Sequence, residues 1–216
     1  MRRIAWIFVV MLGFAKTTPA QTTTPQPRFE AGFTGGVVEA RPSAVNAPYY
    51  DDWYTNGRVA GSVGYYWTRN LKTELEHAWS GKGSRFIQDS VRIGGVQYPT
   101  YFEEFHQLQQ TSVRVVWQFL DNAWVHPYVS AGAVIDTWRR HAQAPAQYQG
   151  SVNNPVLVRA EITTARRTDM RGGVTLGGGA KFYMTRRAFF NAGGLVTYAK
   201  PETGTLNLVA GFGFDF

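Results

Sequence analysis

Large apolar side chains fall on every second position over most of this chain. Residues 28–39 set Phe29, Ala31, Phe33, Gly35 and Val37 against Glu30 and Thr34, and residues 58–67 set Val59, Val63, Tyr65 and Trp67 against Ala60, Ser62 and Tyr66. The same alternation runs through 71–80, 109–119, 125–139, 167–183, 188–199 and 205–216. A period of two assigns one residue set to each face of a β-strand, so the pattern predicts eight strands.

Strand length narrows the class. Strands of soluble sheets run to ~5–6 residues, whereas a tilted strand crossing a bilayer needs ~9–11. The segments here are roughly ten residues or longer. Connections 68–70, 120–124 and 184–187 are short, whereas 40–57, 81–108 and 140–166 are long. Alternate connections of a meander lie at the same end, so one end carries turns and the other mostly loops, although 200–204 is also short. The expectation is an all-β, eight-stranded antiparallel up-and-down transmembrane β-barrel over residues 28–216.

Parity alone does not separate this barrel from a soluble one with its faces exchanged. Three features favour the membrane. Aromatic residues gather near strand ends: Trp67, Trp117, Phe119 and Phe182 at the short-turn end, and Trp79, Trp138 and Tyr198 at the other, as two interfacial girdles would require. The short turns lack the charge of a solvated surface. The polar face carries both signs, in Glu74, Glu76, Arg114, Asp136, Arg171 and Lys181. An eight-stranded barrel is just wide enough for side chains to fill, so these six are expected to pair across the lumen and block a large pore. The last strand, 205–216, keeps its amplitude to Phe216, because closing the cylinder requires it to pair with the first.

Residues 1–20 read as a secretory signal peptide: a basic start at Met1, Arg2 and Arg3, an apolar run over 4–14, and small residues before a cleavage point near Ala20. The run is too short for a spanning helix, which needs ~20 residues. Residues 21–27 form a short extended leader. Losing Arg2, Arg3 and Lys16 lowers the formal charge from +7 to +4. That mild, scattered charge on an exported chain excludes nucleic acid as a partner. With no cysteine, stability must come from something other than disulfides.

Candidate chemistry is sparse. Asp89 and Ser90 share a predicted loop with His106, and such a set suits a nucleophile and its base. This supports an alternative as a barrel-embedded lipid-modifying enzyme. Glu74 and Glu76 share a face, as a glycosidase pair might, but salt bridges to Arg114 and Lys181 are the better reading. No metal-ligand spacing appears, no cofactor is expected, and "GGGAK" at 177–181 lies within a strand and lacks P-loop spacing. The aromatic and acidic stretches "PYYDDWY" (48–54) and "YPTYFEEF" (98–105) suit contact with an extracellular protein or glycan through loops 40–57, 81–108 and 140–166.

The terminal "LVAGFGFDF", the strand opening "HPYVSAGAVID" and the export segment together resemble the small eight-stranded outer-membrane β-barrels of the OmpA/OmpX type. The resemblance implies an outer-membrane location in contact with the lipid bilayer. It also implies that Phe212, Phe214 and Phe216 form the signal read by the barrel-assembly machinery. No peptidoglycan-binding segment follows the barrel, so cell-wall tethering is not expected. The implied role is structural and surface-interacting; a narrow small-solute channel and a soluble ligand carrier are further alternatives.

Overall fold

The computed structural model describes residues 27–41, 54–93, 96–120, 124–144, 146–151, 154–163, 165–199 and 203–216. Residues 1–20, read above as a signal peptide, residues 21–26 and residues 48–53 of "PYYDDWY" lie outside them. Eleven strands form: β1 (Phe29–Arg41), β2 (Tyr54–Tyr66), β3 (Leu71–Ile93), β4 (Val96–Gln118), β5 (Val125–Ala144), β6 (Gln147–Ser151), β7 (Asn154–Arg159), β8 (Ile162–Thr163), β9 (Arg167–Tyr183), β10 (Ala188–Ala199) and β11 (Thr203–Asp215). Among the described residues there is no helix.

Eight of these strands close a barrel in the order β4-β3-β2-β1-β11-β10-β9-β5, with β5 returning to β4. All neighbouring pairs are antiparallel. The seam between the sequence-distant ends is fully zipped: Phe216 N donates to Phe29 O at 2.8 Å, and Arg28 N and Phe29 N donate to Phe216 O at 3.1 and 2.9 Å. With no free edge, each strand amide in the hydrocarbon has a partner.

The register fixes the shape. Partners followed from Glu39 through Leu206, Val196, Leu176, Ala131, Val115, Thr73 and Tyr65 return to β1 at Phe29, ten residues below the start. Eight strands with that stagger tilt by about 40°. Each residue then climbs about 2.5 Å along the barrel axis. Outward rings near the lower rim, Phe29 and Phe119, stand about 20–25 Å below Trp79 and Tyr198 near the upper rim, close to the height of a transmembrane apolar band.

The alternation sorts the side chains as charge demands. Phe33, Val63, Val113, Leu176 and Phe212 are exposed on the outside, whereas Glu30, Lys72, Glu74, Glu76, Arg114 and Lys181 are buried inside. Two glycines serve this packing. A Cβ on Gly179 or Gly193 would come within 2.7 Å of the Tyr128 hydroxyl, so the phenol lies across a flat, glycine-paved wall. Its hydroxyl donates to Asn191 Oδ1 at 3.0 Å.

The predicted loops need correction. Residues 81–108 are not a loop: β3 and β4 stay paired past the barrel rim, from Lys82↔Gln107 out to Ile93↔Val96, after a register shift between Trp79 and Lys82. "YPTYFEEF" therefore lies on β4. Within 140–166, β5 extends to Ala144, β6 and β7 form a separate hairpin, and β8 adds two residues against β5.

Candidate functional site

The lumen is stratified. Its lower part, toward the short turns, holds an ion network. Lys72 reaches down to Glu30, at 2.7 Å, and across to Glu74. Arg114 joins Glu74 to Glu76, the latter at 2.9 Å, and Arg58 also binds Glu76. Lys181 binds Glu30 and donates to the Tyr66 hydroxyl at 2.9 Å, while that hydroxyl donates to Glu30 Oε2 at 2.7 Å. Below it Tyr183 donates to Asp215. Four cations (Arg58, Lys72, Arg114, Lys181) thus share the space with four carboxylates (Glu30, Glu74, Glu76, Asp215). Burying charges is tolerable only with such pairing and hydrogen bonding. Lys181 also stands 4.2 Å from the centre of the Phe189 ring.

Above the ion network lies a polar belt. Gln110 Nε2 donates to Asp136 Oδ1 at 3.1 Å and to Thr205 Oγ1 at 3.2 Å, and Thr197 donates to Thr175 at 3.3 Å. A cavity of about 10 Å3 between Arg58, Glu76, Arg114 and Asn207 has room for about one water. Toward the long-loop end the filling turns apolar: Val38, Ala40, Leu108 and Trp138 form one buried cluster, with His106 edge-on to Trp138 at 6.3 Å. At the mouth Asp169 accepts from Arg140 and Arg167, both at 2.9 Å.

The six lumen residues named from sequence divide. The structure brings Glu74, Glu76 and Arg114 into direct contact and links Lys181 to them through Glu30 and Lys72. Asp136 and Arg171 stand opposite each other on β5 and β9, a layer higher, and no ion pair joins them to the network. Sequence reasoning did not single out Glu30, Arg58, Lys72 or Tyr66. All four share the inward parity, and that signal was available.

Of the aromatic set, Trp67, Trp79, Trp117, Phe119 and Tyr198 are exposed on the outer wall, and Phe182 is half-buried there. Trp138 is a correction. It is 0% exposed and plugs the lumen, because it is adjacent to outward-facing Thr137 and so points inward. Trp124, 63% exposed beside the short-turn end, joins the outer aromatic set. Phe212, Phe214 and Phe216 point outward from β11, pairing with Phe33, Ala31 and Phe29 on the closing seam.

The candidate catalytic set does not assemble. Ser90 pairs with Pro99 and His106 with Gly83, seven steps along one ladder, or about 24 Å at strand rise. His106 is buried in the lumen against Glu104, 3.2 Å away. Among the described residues no three His, Asp or Glu side chains gather as metal ligands.

Comparison with known proteins agrees with this geometry. Residues 7–216 match the family model described as outer membrane protein beta-barrel domain. Three solved structures share the fold. Neisserial surface protein A is 13% identical, covering 87% of this chain and 97% of that one at a TM-score of 0.53. OprG of Pseudomonas aeruginosa is 9% identical, covering 88% and 97%, also at 0.53. A major outer membrane protein of Thermus thermophilus is 14% identical, covering 87% and 99%, again at 0.53. No curated protein matches the chain by sequence. The family and these neighbours share the outer-membrane barrel fold.

Proposed function

Because the chain belongs to the outer membrane protein beta-barrel domain family, we propose that it is a closed-lumen barrel that presents a surface-interaction structure outside the cell. The observation that carries this reading is the β3–β4 hairpin. Its strands remain paired to Ile93 and Val96. At the barrel's tilt, fourteen residues beyond Trp79 would rise about 35 Å above the band if the hairpin kept the same direction. A ribbon of that length costs conformational entropy to order and does nothing for the hydrocarbon-spanning wall. It suits contact with an extracellular protein or glycan, together with residues 40–57 and 140–166.

Several parts serve that role. Residues 1–20 direct export and are cleaved near Ala20. Phe212, Phe214 and Phe216 present an aromatic row on the closing strand for the barrel-assembly machinery. Trp67, Trp79, Trp117, Phe119, Phe182 and Tyr198 anchor the wall at the two interfaces. The ion network below and the Trp138 cluster above favour a plugged lumen over a channel, since water has no continuous polar path.

The test replaces residues 84–104 with a two-residue Asn-Gly turn. The shortened barrel should keep its heat-modifiable gel shift and lose binding to immobilised glycans and matrix proteins. Equal binding by both forms would remove the hairpin from the function. Discrete conductance steps of the intact barrel in a planar bilayer would favour the narrow-channel alternative instead.

A further inference from the structure

The outer wall is not uniform around its circumference. On β3 and β4 the lipid-facing pair Leu75↔Val113 is followed outward by His77↔Thr111 and then by Trp79↔Gln109. Past the register shift comes Lys82↔Gln107, and Gln107 is in turn paired with Arg139 of β5. Lys82 and Arg139 are exposed. His77 Nδ1 and Thr111 Oγ1 are hydrogen-bonded at 2.7 Å, and the His77 ring stands edge-on to Trp79 at 4.3 Å. Moving outward, this sector therefore passes from aliphatic side chains to a hydrogen-bonding pair, then to an indole, then to two cations. The opposite wall differs. There Val37, Leu206, Leu208, Val196 and Tyr198 stay exposed and apolar or aromatic, and the first charge on β1 is Glu39.

The order on the β3–β5 sector follows a membrane lipid from acyl chain, through its ester, amide or sugar region, to a phosphate. Lys82 and Arg139 are two strand spacings apart, about 10 Å, and both have long, flexible side chains. The climb of the rows around the barrel sets Arg139 above Lys82, both just outside the apolar band. Among the described carboxylates at this end, Glu104 lies beside His106 and Asp169 accepts from Arg140 and Arg167, while Glu103 shares the outward parity of Gln107 four residues farther out along β4. The row Lys82, Gln107 and Arg139 itself holds no carboxylate.

We propose that Lys82 and Arg139, with Gln107 between them and the His77–Thr111 pair beneath, bind the phosphorylated headgroup of a lipid in the extracellular leaflet. Arg and Lys give charge-assisted hydrogen bonds to phosphate oxygens. These bonds form at the edge of a low-dielectric slab, where they are stronger than in open water. His77 and Thr111 face the linkage region, where a polar pair on a lipid-facing wall finds polar partners. The proposal rests on the reading that the long-connection end faces outside.

The experiment uses the full barrel in phosphatidylcholine nanodiscs doped with a diphosphorylated glycolipid, lipid A, with retained lipid counted by native mass spectrometry. Wild type should retain the diphosphorylated lipid and not its fully dephosphorylated form. Lys82→Gln with Arg139→Gln should weaken retention about tenfold or more. Arg186→Gln, at the short-turn end, should change nothing. Equal retention by the double variant, or of the dephosphorylated lipid, would overturn the proposal. Displacement by millimolar inorganic phosphate would overturn the headgroup as occupant in favour of a free anion. Both changes lie on an exposed wall, and a heat-modifiable shift verifies folding; if the double variant fails it, the two single variants carry the test. The chain has no cysteine, so Arg139→Cys labelled on intact cells by an impermeant maleimide tests orientation separately. A missing label with intact nanodisc binding would fault the topology and leave the lipid site standing.

Discussion

The two ends of the lumen solve the same filling problem in opposite ways. Toward the short turns the barrel is packed with four cations and four carboxylates; toward the long loops it is packed with Val38, Ala40, Leu108 and Trp138. The two fillings fail differently. An ion network resists removal of one member, because a buried charge is left without its partner, while replacing a whole pair with apolar groups can be neutral. An apolar layer loses transfer energy and gains a cavity in proportion to the volume removed. The lower layer therefore fixes which strands face each other, and the upper layer seals.

Breaking the lower layer at its most connected carboxylate should have the largest effect. Glu74→Gln leaves Lys72 and Arg114 short of a counter-charge and should cost about 3–5 kcal/mol in urea unfolding monitored by gel mobility. A loss below ~1 kcal/mol would mean that the ions are solvated rather than interlocked. Trp138→Ala removes the largest piece of the upper layer and should cost about 3 kcal/mol. It should open no conductance in a planar bilayer, since the ions below still obstruct the path; discrete steps would make the upper layer the actual barrier. Val113→Arg, outside both layers on the lipid-facing wall, should cost about 2–4 kcal/mol near the midplane. Gly179→Ala pushes a methyl against the Tyr128 hydroxyl and the Ala192 carbonyl, and overpacking of this kind costs about 1–3 kcal/mol. The smallest effect belongs to the rim: Arg167→Ala removes a largely exposed pair with Asp169 and should shift stability by at most about 0.5 kcal/mol.

What the sequence made legible follows from period two. Parity assigned Phe29 to Val37 and Leu71 to Trp79 to one wall without any knowledge of partners, and the 167–183 and 188–199 strands match β9 and β10 end to end. Trp138 went astray where proximity to a strand end was allowed to outweigh parity: Thr137 beside it faces out, so the indole had to face in. The β3–β4 hairpin was missed because the register shift between Trp79 and Lys82 interrupts the alternation there. The Gly94-Gly95 pair between two β-prone runs was the turn signal that the interruption obscured. The network's topology was not legible. That Glu30 meets Lys181, 151 positions away, depends on the stagger of the closed cylinder, which no local pattern encodes.

The zipped seam also constrains how this protein comes into being. Phe29 and Phe216 are joined by backbone hydrogen bonds although 187 positions separate them in sequence. No smaller circle can form first and grow. Until the final strand arrives, the first has an open flank, and such long-range closure is slow and exposed to mispairing. Biogenesis must therefore hold a nearly complete ribbon in an unfinished state and let it join in one late event, at the membrane rather than before it.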